Sequence, residues 1–112
     1  MGDGSGKPCG AEDKGQYRFF LRRYPGSILF FQVGRVYEFY EKQAEIAMKI
    51  LGLNRIKARR DFQIQCGFPV NLQERYLRRL MRLDLPVHIV REEEGWLSGV
   101  KKRSVAGRWI PM

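Results

Sequence analysis

The order of periodicities along the chain predicts an α+β fold, an α/β-type sandwich with one mixed β-sheet of about six strands flanked by about three helices. Two observations carry this expectation. Apolar residues recur at helical spacing in three separate stretches, and each stretch is followed by two short runs that read as strands. The segments therefore read helix, two strands, helix, two strands, helix, two strands, with no internal repeat.

The first helix is predicted from Asp13, where Tyr17, Phe20, Leu21 and Tyr24 share a face and Pro25-Gly26 ends it. Residues 1–12 precede it as a glycine-rich tail, poor in large apolar groups and expected to be disordered. The dense run Ser27–Val33 reads as a central strand, Gly34-Arg35 as a tight turn, and Val36–Tyr40 as its hairpin partner. Ala44, Ala47, Met48 and Leu51 mark the second helix, closed by Gly52. Leu53–Arg60 reads as a basic strand and turn, and Asp61–Gly67 as a further strand stopped by Phe68-Pro69. Asn71-Leu-Gln-Glu74 has the form of a capping box and opens a third helix to about Leu83, with Leu72, Tyr76, Leu77, Leu80 and Met81 on its buried face. Pro86–Arg91 then reads as a strand, Glu92–Gly99 as a turn region, and Lys102–Ile110 as the last strand.

A chain of 112 residues, 44% of them hydrophobic, suits one domain, here 13–112, and is too short for two. It holds no apolar run long enough for a membrane helix and opens without a secretory segment, which predicts a cytoplasmic protein, nucleoid-associated in a bacterial cell. Cys9 and Cys66 are expected as free thiols. The formal net charge is +9. The first fourteen residues do not supply it, since they hold Lys7 and Lys14 against Asp3, Glu12 and Asp13. A basic surplus on a small folded body predicts attraction to polyanions, and arginine outnumbers lysine 14 to 7. Guanidinium forks suit phosphates and base edges.

Catalytic chemistry is sparse. The single histidine, His88, sits between Val87 and Ile89 in a strand pattern and reads as a packing residue. No ligand set for a metal, no phosphate loop and no cofactor motif is present in the sequence, so neither metal nor cofactor is expected and the chain does not read as an enzyme. Glu92-Glu93-Glu94 reads as a solvated acidic turn.

The stretch Ile28-Leu-Phe-Phe-Gln-Val-Gly-Arg-Val-Tyr-Glu-Phe-Tyr-Glu-Lys-Gln-Ala44 resembles the signature of the N-terminal mismatch-recognition domain, domain I, of the MutS DNA-repair family. Gln16-Tyr17, Tyr24-Pro25, Cys66-Gly67-Phe68-Pro69, Tyr76-Leu77 with Leu80, and Val87–Val90 extend the likeness over residues 15–112. The resemblance implies the MutS N-terminal-domain fold, standing here alone, and a DNA contact from the minor-groove side. There the family's Phe-x-Glu motif wedges an aromatic ring beside a mispaired base and hydrogen-bonds it through the Glu. A mismatch lowers the cost of that deformation. In this chain Glu38 is retained, Val36 stands where the Phe belongs, and Arg35 replaces an Asp. The resemblance thus implies binding of duplex or distorted DNA with weakened mismatch reading.

Arg55, Lys57, Arg59 and Arg60 fall in the region that lies near DNA in the family and join Arg35, Val36 and Glu38 as candidate DNA contacts. Arg75, Arg78, Arg79 and Arg82 form a helical stripe, and Lys101, Lys102 and Arg103 a C-terminal cluster; both are candidate further phosphate contacts. Trp96 and Trp109 flank that cluster and read as packing residues. The expected partner is nucleic acid, DNA before RNA, bound by a monomer that works with a separate nucleic-acid enzyme or repair protein. The alternatives are a protein-interaction adaptor and an RNA- or single-strand-binding accessory.

Overall fold

In a computed structural model, which describes residues 9–112 apart from Arg60 and Ser98 and apart from the side chains of 9–13 and Leu97, three helices pack on one five-stranded mixed sheet. The elements are α1 (Cys9–Arg23), β1 (Ile28–Val33), β2 (Val36–Tyr40), α2 (Glu41–Leu51), β3 (Gln65–Pro69), α3 (Gln73–Arg82), β4 (Val87–Leu97) and β5 (Val100–Trp109). The strand order is β3-β2-β1-β4-β5, antiparallel throughout except where β1 runs parallel to β4, with Ile28 opposite Val87.

The density of apolar residues in β1 follows from its central place. A strand covered on both faces needs apolar side chains at every position rather than at alternate ones. Ile28 and Phe30 point to one side, into a core shared with Tyr37, Phe39, Ala44, Ala47, Leu51, Phe68 and Leu80 beneath α2 and α3. Leu29 and Phe31 point to the other, into a smaller core with Tyr17 and Phe20 of α1, Tyr40 and Phe62. Tyr40 stacks on Phe62 at 3.8 Å between centroids, and Tyr17 meets both rings edge-on.

The structure corrects several sequence expectations. The sheet has five strands rather than about six: the described residues of 53–64 form no strand and pair with β3 through one isolated bridge, Ile56 to Gln65. Side chains hold that segment instead. Glu41 bends the chain from β2 into α2 at φ 54, and its carboxylate accepts the backbone N–H groups of Gln63 and Ile64. The expected capping box is absent. Asn71 lies in a short 3₁₀ turn, and α3 starts at Gln73 without a side-chain cap. The Glu92–Gly99 turn region is mostly strand, because β4 continues to Leu97 and pairs Glu92 with Arg103. Opposite charges across a strand pair contribute about 0.2–1 kcal/mol, which suits an acidic stretch to a sheet when a basic strand faces it. Within the tail expected at 1–12, Cys9–Glu12 form the first turn of α1, and residues 1–8 lie outside the described residues.

Cys66 is a free, fully buried thiol, and burial pushes its pKa up to about 11. His88 is buried as well. Its ring stacks on Tyr24 at 3.9 Å, and Ser27 Oγ lies 2.7 Å from Nδ1. Burial first, and nearby Arg108 second, lower its pKa below the usual imidazole value. The native state therefore gives up the His88 proton at a lower pH than the unfolded chain does. The associated stability is complete above the unfolded value of about 6.5 and is lost as pH falls through the folded one. Since the chain has one histidine, denaturation midpoints are expected to decline as pH falls below about 6.5. His88→Gln should flatten that decline; a wild-type midpoint independent of pH over this window contradicts the assignment.

Candidate nucleic-acid interface

Side chains alternate across a strand, so Val36, Glu38 and Tyr40 share one face of β2. It is the face toward α1, because Tyr40 enters the core beneath that helix. α1 lies over β1 and β5, and the strip of the same face at the hairpin end carries Val36 and Glu38 at intermediate exposure.

Glu38 is held firmly. The Tyr40 hydroxyl donates to its Oε1, and Arg59 Nη1 lies 3.4 Å from the same oxygen and 3.3 Å from the Tyr40 hydroxyl. Burial, reinforced by the Glu38 charge, raises the Tyr40 pKa far above the ordinary phenol range, so Tyr40 remains the donor. The Glu38 side chain is 14% exposed and that of Arg59 25%. Both hydrogen bonds fall on Oε1, which leaves Oε2 without a partner among the described residues.

Gly67 lies opposite Glu38 on the same face. A Cβ there would meet the Tyr37 carbonyl oxygen at 2.6 Å and Val36 Cγ1 at 3.0 Å. The glycine therefore gives Val36 its seat. At the tip, Gly34 takes φ 65 and its N–H donates to Glu92 Oε2 at 2.9 Å. Glu92 N–H donates to Gln32 Oε1. Arg103 completes this anchor: Nε donates to the Gln32 carbonyl at 2.7 Å, Nη1 to Gln16 Oε1 at 2.8 Å, and Nη2 lies 3.4 Å from Glu92 Oε2. Its guanidinium also lies over the Phe31 ring at 4.5 Å.

The predicted site residues thus separate into groups. Val36, Glu38 and Arg59 come together. Arg55 and Lys57 are exposed on the same loop as Arg59, with Arg55 donating to the Gln63 carbonyl, and Arg60 lies outside the described residues. Arg35 lines a different recess, of about 600 Å³, together with Arg91, Gln32 and Gln73. Arg75, Arg78, Arg79 and Arg82 are exposed on α3, across the sheet from Glu38. Of that stripe, Arg78 lies 4.0 Å from Glu74, an exposed pair of little energetic weight. Lys101 lines a groove beside Glu92, and Lys102 is half-buried. Arg103 lies inside the protein, its side chain 1% exposed and engaged by Gln16, Gln32 and Glu92. Tyr40, Glu41, Gly67 and Glu92 escaped the sequence reading; the glycine inside a strand pattern was the one local signal for close packing.

The hairpin thus presents, on the α1 face of the sheet, one carboxylate held by Tyr40 and Arg59. A family model described as MutS domain I matches residues 14–108. The DNA mismatch repair protein MutS of Cytophaga hutchinsonii is 35% identical over 95 residues, covering 80% of this chain and 11% of that protein. MutS of Rhodopseudomonas palustris strain BisB5 is 31% identical over 96 residues, 83% of this chain and 10% of its own. MutS of Borreliella burgdorferi strain ZS7 is 32% identical over 84 residues, 75% and 10%. The chain belongs to the MutS domain I family, and it spans about a tenth of the length of these relatives.

Two substitutions test this geometry. Gly67→Ala should cost about 1–3 kcal/mol in urea denaturation, because the blocking atom at 2.6 Å is backbone and cannot rotate away. Arg103→Met should cost about 3 kcal/mol, the lower end expected when one partner of a buried ion pair is removed. Arg103→Met with native stability and weakened polyanion binding would make it a phosphate contact after all.

Proposed function

We propose that this chain is a nucleic-acid-binding module, with no chemistry of its own, that engages duplex or distorted DNA along the strip carrying Val36 and Glu38. The observation that carries this reading is the carboxylate of Glu38. It is fixed through Oε1 by Tyr40 and Arg59, while Oε2 stays open to a donor on a base edge. Membership of a family whose relatives are named for DNA mismatch repair and the net charge of +9 support it.

In this reading Arg55 and Lys57 neutralise phosphates and set the register, Val36 presses into the groove, and Glu38 tests the base edge. Valine is short and half-buried against Gly67, so it unstacks a base step less than a phenyl ring would. Aromatic stacking on a base contributes about 1–3 kcal/mol, and its absence weakens discrimination between mismatched and matched DNA. Affinity then rests mainly on phosphates and falls steeply with salt.

The test is fluorescence anisotropy with matched duplex, single-mismatch duplex, single-stranded DNA and hairpin RNA at several salt concentrations. Wild type should favour the mismatched duplex modestly, and Glu38→Ala should erase that preference. Val36→Phe should raise it roughly tenfold, the effect of about 1.4 kcal/mol. Lys57→Gln should weaken all DNAs alike and reduce the logarithmic salt slope by about 1. Equal binding to all four ligands would reduce the module to a general polyanion binder, and no binding at low salt would overturn the reading.

A further inference from the structure

The largest side chain in the protein's far hairpin points into water. Trp96, near the end of β4, is 64% exposed, although a buried indole removes about 150–250 Å² of surface from water. The sequence pattern suggests a packing residue there, and no core cluster contains it. Its cross-strand partner is Lys101, whose Nζ stands 5.3 Å from the ring centroid. Beside the ring lies a groove of about 160 Å³ lined by Val33, Arg59, Glu92, Trp96, Lys101 and Arg103.

The groove's composition limits what can fill it. Val33 and the indole give it flat apolar walls. Glu92, its only acid among the described lining residues, is already engaged by Gly34 and Arg103. Lys101 and Arg59 supply positive charge at the rim, and Arg59 is the same residue that holds Glu38. A planar, neutral ring attached to an anionic backbone satisfies all of these features at once. An acidic peptide would satisfy the cations and leave the indole in water.

We infer that Trp96 is a stacking platform for an unpaired nucleobase, with Lys101 and Arg59 receiving the flanking phosphates. The inference rests on the nucleic-acid reading above and extends the site from the β1–β2 hairpin to the β4–β5 hairpin. A base displaced at the Glu38 strip has an aromatic surface within the adjoining groove. The platform is tolerant of base identity, since every base has a π face, and it favours distorted over regular duplex because stacked bases cannot reach it.

The test uses the full chain carrying Trp109→Phe, so that Trp96 is the sole indole. Probes are a matched duplex, a duplex with one unpaired thymine, and the same duplex with an abasic residue at that position. Indole fluorescence should be quenched by the unpaired-thymine duplex and little changed by the other two. Trp96→Ala should weaken binding of the unpaired-thymine duplex about tenfold and leave the matched duplex unchanged, while Trp96→Phe should retain most of the affinity. Circular dichroism and the urea midpoint report whether the variants fold. Equal binding of all three probes by Trp96→Ala and its parent would overturn the platform while leaving nucleic-acid binding in place. Equal weakening toward all three probes would make Trp96 structural and also overturn it. Failure of the parent protein to bind any probe at low salt would instead remove the reading on which the inference rests.

Discussion

Arg103 braces from one point the three elements that strand pairing and the core beneath α1 bring together. Its guanidinium reaches Gln16 on α1, the Gln32 carbonyl on β1 and Glu92 on β4, and it covers the Phe31 ring from above. A charge removed from water at this depth is tolerated only when its donors are satisfied, so each partner is constrained in return. Glu92 is held in position to accept from Gly34, which fixes the tip of the β1–β2 hairpin. The position of Val36 and Glu38 therefore depends on a residue in the last strand of the chain.

The other end of the hairpin is fixed by a separate device. Tyr40 and Arg59 converge on Glu38 Oε1, and Glu41 ties the loop that carries Arg59 to the start of α2 through two backbone N–H groups. A carboxylate held at both base and tip loses little freedom when it meets a ligand, and that is the condition for selective recognition. The same bonds shield one oxygen and leave the other, which gives the site a direction. Cationic side chains elsewhere follow a different logic. The arginines of α3 stand on the opposite side of the sheet, where the core beneath α2 and α3 separates them from Glu38.

Much of this was legible in the residues themselves. The apolar run Ile28–Phe31 announced a strand buried on both faces, and the i, i+3, i+4, i+7 pattern of Ala44, Ala47, Met48 and Leu51 placed α2 closely, with Gly52 at φ 70 as its stop. The pairing of Val36 and Glu38 on one face followed from strand alternation. What could not be read was long-range. Glu92 looked like a solvated turn because its partners, Gly34 and Arg103, lie 58 and 11 residues away. Arg103 looked like a surface cation for the same reason. A strand was expected over 53–60 because its charges alternate with apolar residues as an edge strand's would, but only Ile56 bridges to β3 and the Gln65 side chain takes the Arg59 N–H instead. Trp96 shows the converse error: hydrophobicity predicts burial on average, and an exposed aromatic is the informative exception.

The central claim is that nucleic acid lies on the α1 side of the sheet, across the Glu38 strip. Backbone amide shifts of isotope-labelled protein, followed by NMR as a single-mismatch duplex is added, test it most directly. The largest changes should cluster at Gly34, Val36, Glu38, Arg59 and Lys101, with α3 little affected. Changes concentrated instead along Arg75–Arg82 would place the ligand on the other face and contradict it.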